Sequence, residues 1–354
     1  MNVSYAQSAL TPFLLGILVT IIVFGAATTK AQSTLDLIFG ADLAIDVSPA
    51  HPTPGERVLA KVHSTLIDLS ATELTWSVNG KTIAAGIGIT DVDVAAGKLG
   101  SEMRLTVTAL EAGLEFASAE AFIRPVELDL VWESDSYTPP FYRGRALPSA
   151  ETNLRLETIP RFIRSDGSSV ATRDLIFTWK RGGYVMQSVS GRGKSTAVIE
   201  SPSLFGADTI SVEVKTSDGT LVGERSVRIA SRTPHIALYQ IHPVLGITYH
   251  RAFLEENLIP ETEATFSAAP YFAEARHADD STLRYQWKIH GIEIQNDEAR
   301  PSTITINAEN SSGEALVELF LTHATNLFLD TTDSWNFIFN SRDAGTPFQQ
   351  PLSP

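Results

Sequence analysis

The stretch Gly191-Arg192-Gly193-Lys194-Ser195-Thr196 carries the residue types that cradle phosphate: glycines, a lysine and a hydroxyl in a row. A nucleotide loop of that kind uses backbone amides of a glycine-rich turn, a lysine on the outer phosphates and a helix N-terminus behind them. It also needs a glycine at position 188, where Ser188 stands, and the residues that follow, Ala197-Val198-Ile199-Glu200-Ser201-Pro202, do not read as a helix. The segment is read as a sheet-edge turn.

Metal chemistry would draw on His51, His63, His235, His242, His250, His277, His290 and His323. None makes a helical His-x-x-x-His pair or sits at ligand spacing from an acid. His235, His242 and His250 cluster along the chain, so a metal site there stands as the alternative to ordinary loop histidines. Asp91-Val92-Asp93, Asp279-Asp280, and Asp330 with Asp333 offer hard oxygen ligands for calcium, but no Asp-x-Asp-x-Asp-Gly loop is present. Solvated carboxylates are the preferred reading and calcium the alternative; no other cofactor is indicated. With no cysteine in the chain, thiolate zinc sites, cysteine nucleophiles and disulfides are excluded. Gly-x-Ser-x-Gly is absent too, so no catalytic residue is named and the chain reads as non-enzymatic.

The segment from Tyr137 to Pro148 is a candidate of another kind. It gathers Tyr137, Pro139, Pro140, Phe141, Tyr142, Arg143 and Arg145 into a stiff stretch able to act as an exposed interaction loop. The competing reading has Phe141 and Tyr142 folding back to cap the open edge of their own module.

Such a loop needs a scaffold, and the sequence repeats one three times. Leu74-Thr75-Trp76-Ser77-Val78-Asn79-Gly80, Phe177-Thr178-Trp179-Lys180-Arg181-Gly182-Gly183 and Tyr285-Gln286-Trp287-Lys288-Ile289-His290-Gly291 each alternate apolar and polar residues into a tryptophan and break at glycine. That pattern is a half-buried strand and a turn. Downstream, Gly100, Gly206 and Gly313 each precede a strand of period two. A turn follows each strand: Glu111-Ala112-Gly113, Ser217-Asp218-Gly219, and a weaker one near Thr325-Asn326. The tryptophans recur at roughly 100 residues, the length of one β-sandwich. The expected fold is all-β: three tandem immunoglobulin-like β-sandwich domains after an N-terminal hydrophobic helix, with Trp76, Trp179 and Trp287 as structural core markers. The expected units are residues 42–125, 126–231 and 234–341, with 342–354 a flexible tail.

The second and third modules match further. Leu130-Val131-Trp132-Glu133 pairs with Ala237-Leu238-Tyr239-Gln240, and Pro160-Arg161-Phe162 with Pro270-Tyr271-Phe272. The short junctions Ile123-Arg124-Pro125-Val126 and Ala230-Ser231-Arg232-Thr233-Pro234 predict a semi-rigid array.

Residues 1–31 read as a signal peptide or membrane anchor, being apolar from Phe13 to Ala27 with no charge until Lys30. This is the one segment expected to meet a membrane. The net charge of −14 excludes a phosphate-tracking surface, so nucleic acid is not expected as a partner.

The tryptophan strands, together with Pro52-Thr53-Pro54-Gly55-Glu56, resemble bacterial immunoglobulin-like and polycystic-kidney-disease-type (PKD-like) surface modules. Pro139-Pro140-Phe141-Tyr142-Arg143-Gly144-Arg145-Ala146-Leu147-Pro148 resembles a stretch in exported proteins of candidate-phyla (Parcubacteria-type) bacteria. The resemblance implies export and a surface role, and brings no catalytic residue. The expected function is a non-enzymatic cell-surface or periplasmic scaffold or adhesion protein, with a role in a pilus or envelope assembly and a protein or glycan partner at the envelope. The alternatives are a carbohydrate-binding module set using aromatics such as Trp335 and Tyr271, or a hydrolase with no visible motif.

Overall fold

The computed structural model describes residues 43–259, 263–307 and 313–339. The apolar N-terminal segment and the tail 342–354 lie outside the described residues. Strands β1 (Leu43–Ser48), β2 (Arg57–Ser64), β3 (Glu73–Val78), β4 (Lys81–Ile87), β5 (Asp91–Ala95), β6 (Met103–Glu111) and β7 (Leu114–Ile123) form the first module. Its sheets are β1-β2-β5 and β4-β3-β6-β7. The second module holds β8 (Glu127–Ser134), β9 (Asn153–Arg161), β10 (Ile176–Arg181), β11 (Tyr184–Val185), β12 (Gly191–Arg192), β13 (Thr196–Glu200), β14 (Ala207–Lys215) and β15 (Val222–Ala230). They form β13-β9-β8 and β11-β10-β14-β15, with β12 beside β10.

The third module comprises β16 (His235–His242), β17 (Gly246–Ala252), β18 (Glu256–Ile259), β19 (Glu263–Tyr271), β20 (Leu283–Ile289), β21 (Ile292–Glu293), β22 (Thr303–Asn307), β23 (Gly313–His323) and β24 (Asp330–Phe339). Its sheets are β17-β16-β19-β22 and β18-β24-β23-β20-β21. Among the described residues every strand pairing is antiparallel except that of β18 with β24. The one helical element among the described residues is the 3-10 turn Thr172–Asp174. The described residues are therefore all-β, with three immunoglobulin-like sandwiches in tandem, each burying apolar residues between two sheets.

The strands arise from period-two alternation. In β6, Leu105, Val107 and Ala109 are buried while the residues between them are not. The turns after the tryptophan strands are two-residue hairpins with positive φ at both positions: Asn79-Gly80, Gly182-Gly183 and His290-Gly291. That twist matches the strands they join.

Trp76, Trp179 and Trp287 lie at the centres of the three cores, fully buried. Each indole Nε1 donates to a loop carbonyl entering the opposite sheet: Ile89 at 2.8 Å, Lys194 at 3.0 Å and Pro301 at 3.0 Å. The next carbonyl along, from Thr90, Ser195 or Ser302, accepts a backbone N–H of an interior strand of the facing sheet, β2, β9 or β19: Val62 at 2.9 Å, Thr158 at 2.9 Å and Ala268 at 2.8 Å. Two consecutive peptides thus clamp one sheet to the other, and no buried indole donor is left unpaired. The clamp also explains the glycine-lysine segment. Gly193, at φ 71°, bends the chain so that the Lys194 carbonyl meets Trp179, and the lysine Nζ donates to the Ser188 carbonyl at 2.7 Å.

One sequence correspondence is off by a residue. Pro160 pairs with Leu128 and Pro270 with Ile236, so Leu128 matches Ile236 and Val131, not Trp132, matches Tyr239. A one-residue shift moves a side chain to the other face of its sheet. Tyr239 accordingly points away from the third core, into a separate cluster with Tyr137.

Contacts also bridge the junctions. Val126, between β7 and β8, is buried, and its N–H lies 3.4 Å from the Pro52 carbonyl of the first module. Gly223 makes room for it, since a Cβ there would stand 2.8 Å from the Val126 Cγ2.

Candidate functional site

Residues 135–152 connect β8 to β9 and leave the second module to dock on the third. Ser136 Oγ donates to the Leu147 carbonyl at 2.7 Å and closes the base of the loop. Tyr137 N–H then donates to the Ala273 carbonyl at 2.8 Å, and Phe272 N–H donates to the Tyr137 carbonyl at 2.7 Å. This is a two-bond antiparallel splice between modules. The Tyr137 side chain is 9% exposed and packs with Tyr239 and Ala269, flanked by Tyr249 and Tyr271 of the third module. Burial pushes its phenol well above the usual range, and the neighbouring Tyr249 and Tyr271 add to the rise. Tyr271 rises as well, by burial first and then by its 2.7 Å hydroxyl bond to Tyr239. These phenols stay protonated and able to donate at any physiological pH.

Beyond Tyr137 the loop turns sharply. Tyr142 N–H donates to the Pro139 carbonyl at 3.2 Å, and Phe141 sits at φ 66° in the left-handed region. Pro140 at the second position and positive φ at the third make a type II turn, a place that favours glycine or asparagine. Here it holds a phenylalanine that is 91% exposed. Tyr142 meets Tyr271 edge-on at 5.5 Å and Phe272 at 6.1 Å, while His235 stacks on Tyr271 at 4.9 Å. Gly144 lets the Tyr142 ring lie over the backbone, for a Cβ there would come within 2.4 Å of the ring.

The seven loop residues therefore separate. Tyr137 and Pro139 are buried, whereas Pro140, Phe141, Tyr142, Arg143 and Arg145 are exposed. Arg145 returns to its own module and lies over the Trp132 ring at 4.3 Å. Arg143 pairs with no described residue. The capping reading is corrected in its target: Tyr142 packs over Tyr271 and Phe272 of the third module instead of its own, and Phe141 stays open to solvent.

Between this strap and β17 opens a groove of about 560 Å³, lined by Pro140, Phe141, Tyr142, Arg143, Ile247, Tyr249, His250 and Tyr271. On the other side of the splice, Asn326 is buried and its amide donates to the Ala150 carbonyl at 2.9 Å and to the Glu274 carboxylate at 2.8 Å. Sequence reasoning missed Asn326, Tyr239, Tyr249 and Phe272. The available signal was the glycine-free turn near Thr325-Asn326, shaped by His323 Nδ1, which accepts the Asn326 N–H at 2.8 Å.

The remaining candidates sit apart. Asp93 is paired with Arg57 at 2.6 Å. Asp280 accepts the Arg276 and Thr282 amides, each at 3.0 Å, and these bonds hold its carboxyl down at about 2. Asp279 accepts the Ser302 N–H at 3.0 Å and Asp333 the Ser334 N–H at 2.9 Å. His242 Nδ1 accepts the Val244 N–H at 3.1 Å within its own turn. Among the described residues no three histidines, aspartates or glutamates gather where a metal could bind. Trp335 is buried beside Trp287, with ring centroids 6.5 Å apart, so it presents no face to a sugar.

No protein-family model matches the chain, and no curated protein matches it. Solved structures to which it is similar include fibronectin(III)-like modules of Clostridium thermocellum CbhA, at 10% identity, 53% of this chain, 94% of that one and a TM-score of 0.25. The three N-terminal domains of the bacteriophage RB49 outer capsid protein Hoc show 12% identity, 84% and 98% coverage and a TM-score of 0.24. The central fibronectin-III array of RIM-binding protein shows 10% identity, 83% and 98% coverage and a TM-score of 0.27. Similarity at that level carries no inference about function, and the fold stands on the strand order and cores described above.

Proposed function

We propose that the chain is a non-enzymatic binding scaffold, exported through its N-terminal segment to the cell surface or periplasm, where its modules serve adhesion or the assembly of a pilus or envelope complex. One observation carries the reading. The second and third modules are spliced through the backbone of Tyr137 and bridged by the buried Asn326, an arrangement that fixes the spacing and orientation of whatever their surfaces present. A scaffold needs that fixed geometry. A partner at the envelope, protein or glycan, would meet the exposed end of the strap.

Two measurements test the proposal. Cell fractionation with N-terminal sequencing should find the chain at the envelope, and recovery only from the cytoplasm with Met1 retained would sink the export reading. Spin-label distances between the second and third modules of the full chain should be narrowly distributed; a broad distribution removes the scaffold argument. Glycan binding remains the second reading because of Tyr271 and Tyr249 in the groove, but it has lost Trp335.

A further inference from the structure

We propose that the groove between the strap and β17 binds an extended, proline-bearing peptide segment that carries a carboxylate. This deepens the scaffold reading and rests on it for the supposition that the partner is a separate chain.

Three features of the groove lead there. First, Phe141 holds a left-handed backbone conformation that disfavours a bulky side chain, yet it buries almost nothing. Glycine would serve the turn better, so the phenylalanine contributes nothing visible to the fold; strain of this kind concentrates at sites that grip a ligand. Phe205 shares the conformation and the exposure, at φ 57° and 83%. Phe141 opens onto the groove.

Second, the walls suit a polyproline-type helix. Such a segment has no internal hydrogen bonds and offers a row of bare carbonyls between proline rings. The groove supplies the complement: Pro140, Phe141 and Ile247 for the rings, and tyrosine hydroxyls as donors for the carbonyls. The Tyr142 hydroxyl has no partner among the described residues. Burial pushes the Tyr249 phenol above its ordinary range, so it keeps its proton to give. No carboxylate or amide side chain lines the groove, so the planar acceptors that a sugar's hydroxyls need are missing. That tips the choice from glycan to peptide. The volume, about 560 Å³, falls within the range of ordinary ligand clefts.

Third, the charge is one-sided. On a chain of net charge −14, the groove carries Arg143 and His250, and among the described residues Arg143 has no counter-ion and no acid lines the groove. An unpaired guanidinium at the lip of an apolar groove selects a carboxylate on the incoming segment.

The test is fluorescence anisotropy of the full chain with an array of labelled proline-rich peptides, each made with one glutamate and again with glutamine in its place. Glutamate-bearing members should bind with Kd on the order of 10–100 μM, the affinity expected for a shallow aromatic groove. Phe141→Gly should weaken binding at least tenfold while the melting temperature holds or rises. Arg143→Gln should abolish the preference for glutamate over glutamine. Absence of binding below about 1 mM overturns the proposal, as does binding that both variants leave unchanged. If uronic-acid oligosaccharides bind instead and lose affinity in the same variants, the groove is a glycan site and the peptide proposal fails. The outcomes separate from those of the scaffold reading: an envelope chain that binds no peptide sinks only this proposal, and a peptide-binding chain confined to the cytoplasm sinks only the export.

Discussion

The second and third modules share a strand plan and use the same stretch of it in opposite ways. Between its first two strands the second module sends residues 135–152 outward, and they become part of its neighbour's surface. The third keeps its equivalent stretch: β17 hairpins back on β16, and β18 runs parallel to β24, burying Ile259 in the module's own core. The first module has only a short turn there, closed by Thr53 donating to the Glu56 carboxylate at 2.7 Å. The sandwich core evidently does not depend on this connection. The tryptophan clamp and the seven strands common to all three modules suffice, and the connection is free to serve as a brace, a lid or nothing.

The comparison can be broken most forcefully by Trp287→Ala. It should cost the third module about 3–5 kcal/mol and release the strap, so that trypsin cuts at Arg143 and Arg145. Trp76→Ala should cost the first module a similar amount and leave the strap protected. Equal cleavage in both variants would mean that the third module does not hold the strap.

Ile259→Ala tests the other half. It should destabilise the third module by about 2–4 kcal/mol in calorimetry without moving the second, because β18 serves its own core. Asn326→Ala leaves the Ala150 carbonyl without its partner and should cost about 1–3 kcal/mol, seen as faster amide exchange at Tyr137 and Phe272 but not at Trp179.

The smallest effects concern single turns. Asp280, with its carboxyl held at about 2 by backbone amides, adds stability that is full above the unfolded value near 4 and is lost as pH falls toward 2. Solvent screening limits this to about 1 kcal/mol. Asp280→Asn should flatten the acid limb of the third module's unfolding profile by that amount; an unchanged limb would deny the carboxylate its part in the turn. Phe141→Gly should leave the stability measured in calorimetry unchanged or raise it by up to about 1 kcal/mol. A clear loss would show that the strap's tip supports the splice.

The module plan was legible because each tryptophan strand alternates strictly and stops at a positive-φ glycine. The register of β16 was not, because both of its faces are apolar: Ile236 and Leu238 point to the core, while Tyr239 points to Tyr137. Where a second partner covers the outer face, period-two alternation fades and the face of each residue cannot be read. The composition of the strap stood out, but not its partner. Its anchoring bonds run through the Tyr137 backbone to residues far along the chain, and backbone pairing leaves no mark in side-chain types.

The indole-carbonyl clamp has one more consequence. It ties sheet to sheet where a covalent sulfur bridge would otherwise stand, using an N–H and a peptide oxygen that neither oxidise nor exchange. Three near-copies in one chain would give six such sulfurs many ways to join the wrong repeat during synthesis, but here the mispairing has no chemistry through which to occur. The modules can mature without an oxidase or an isomerase, and thiol reductants should leave all three assembled.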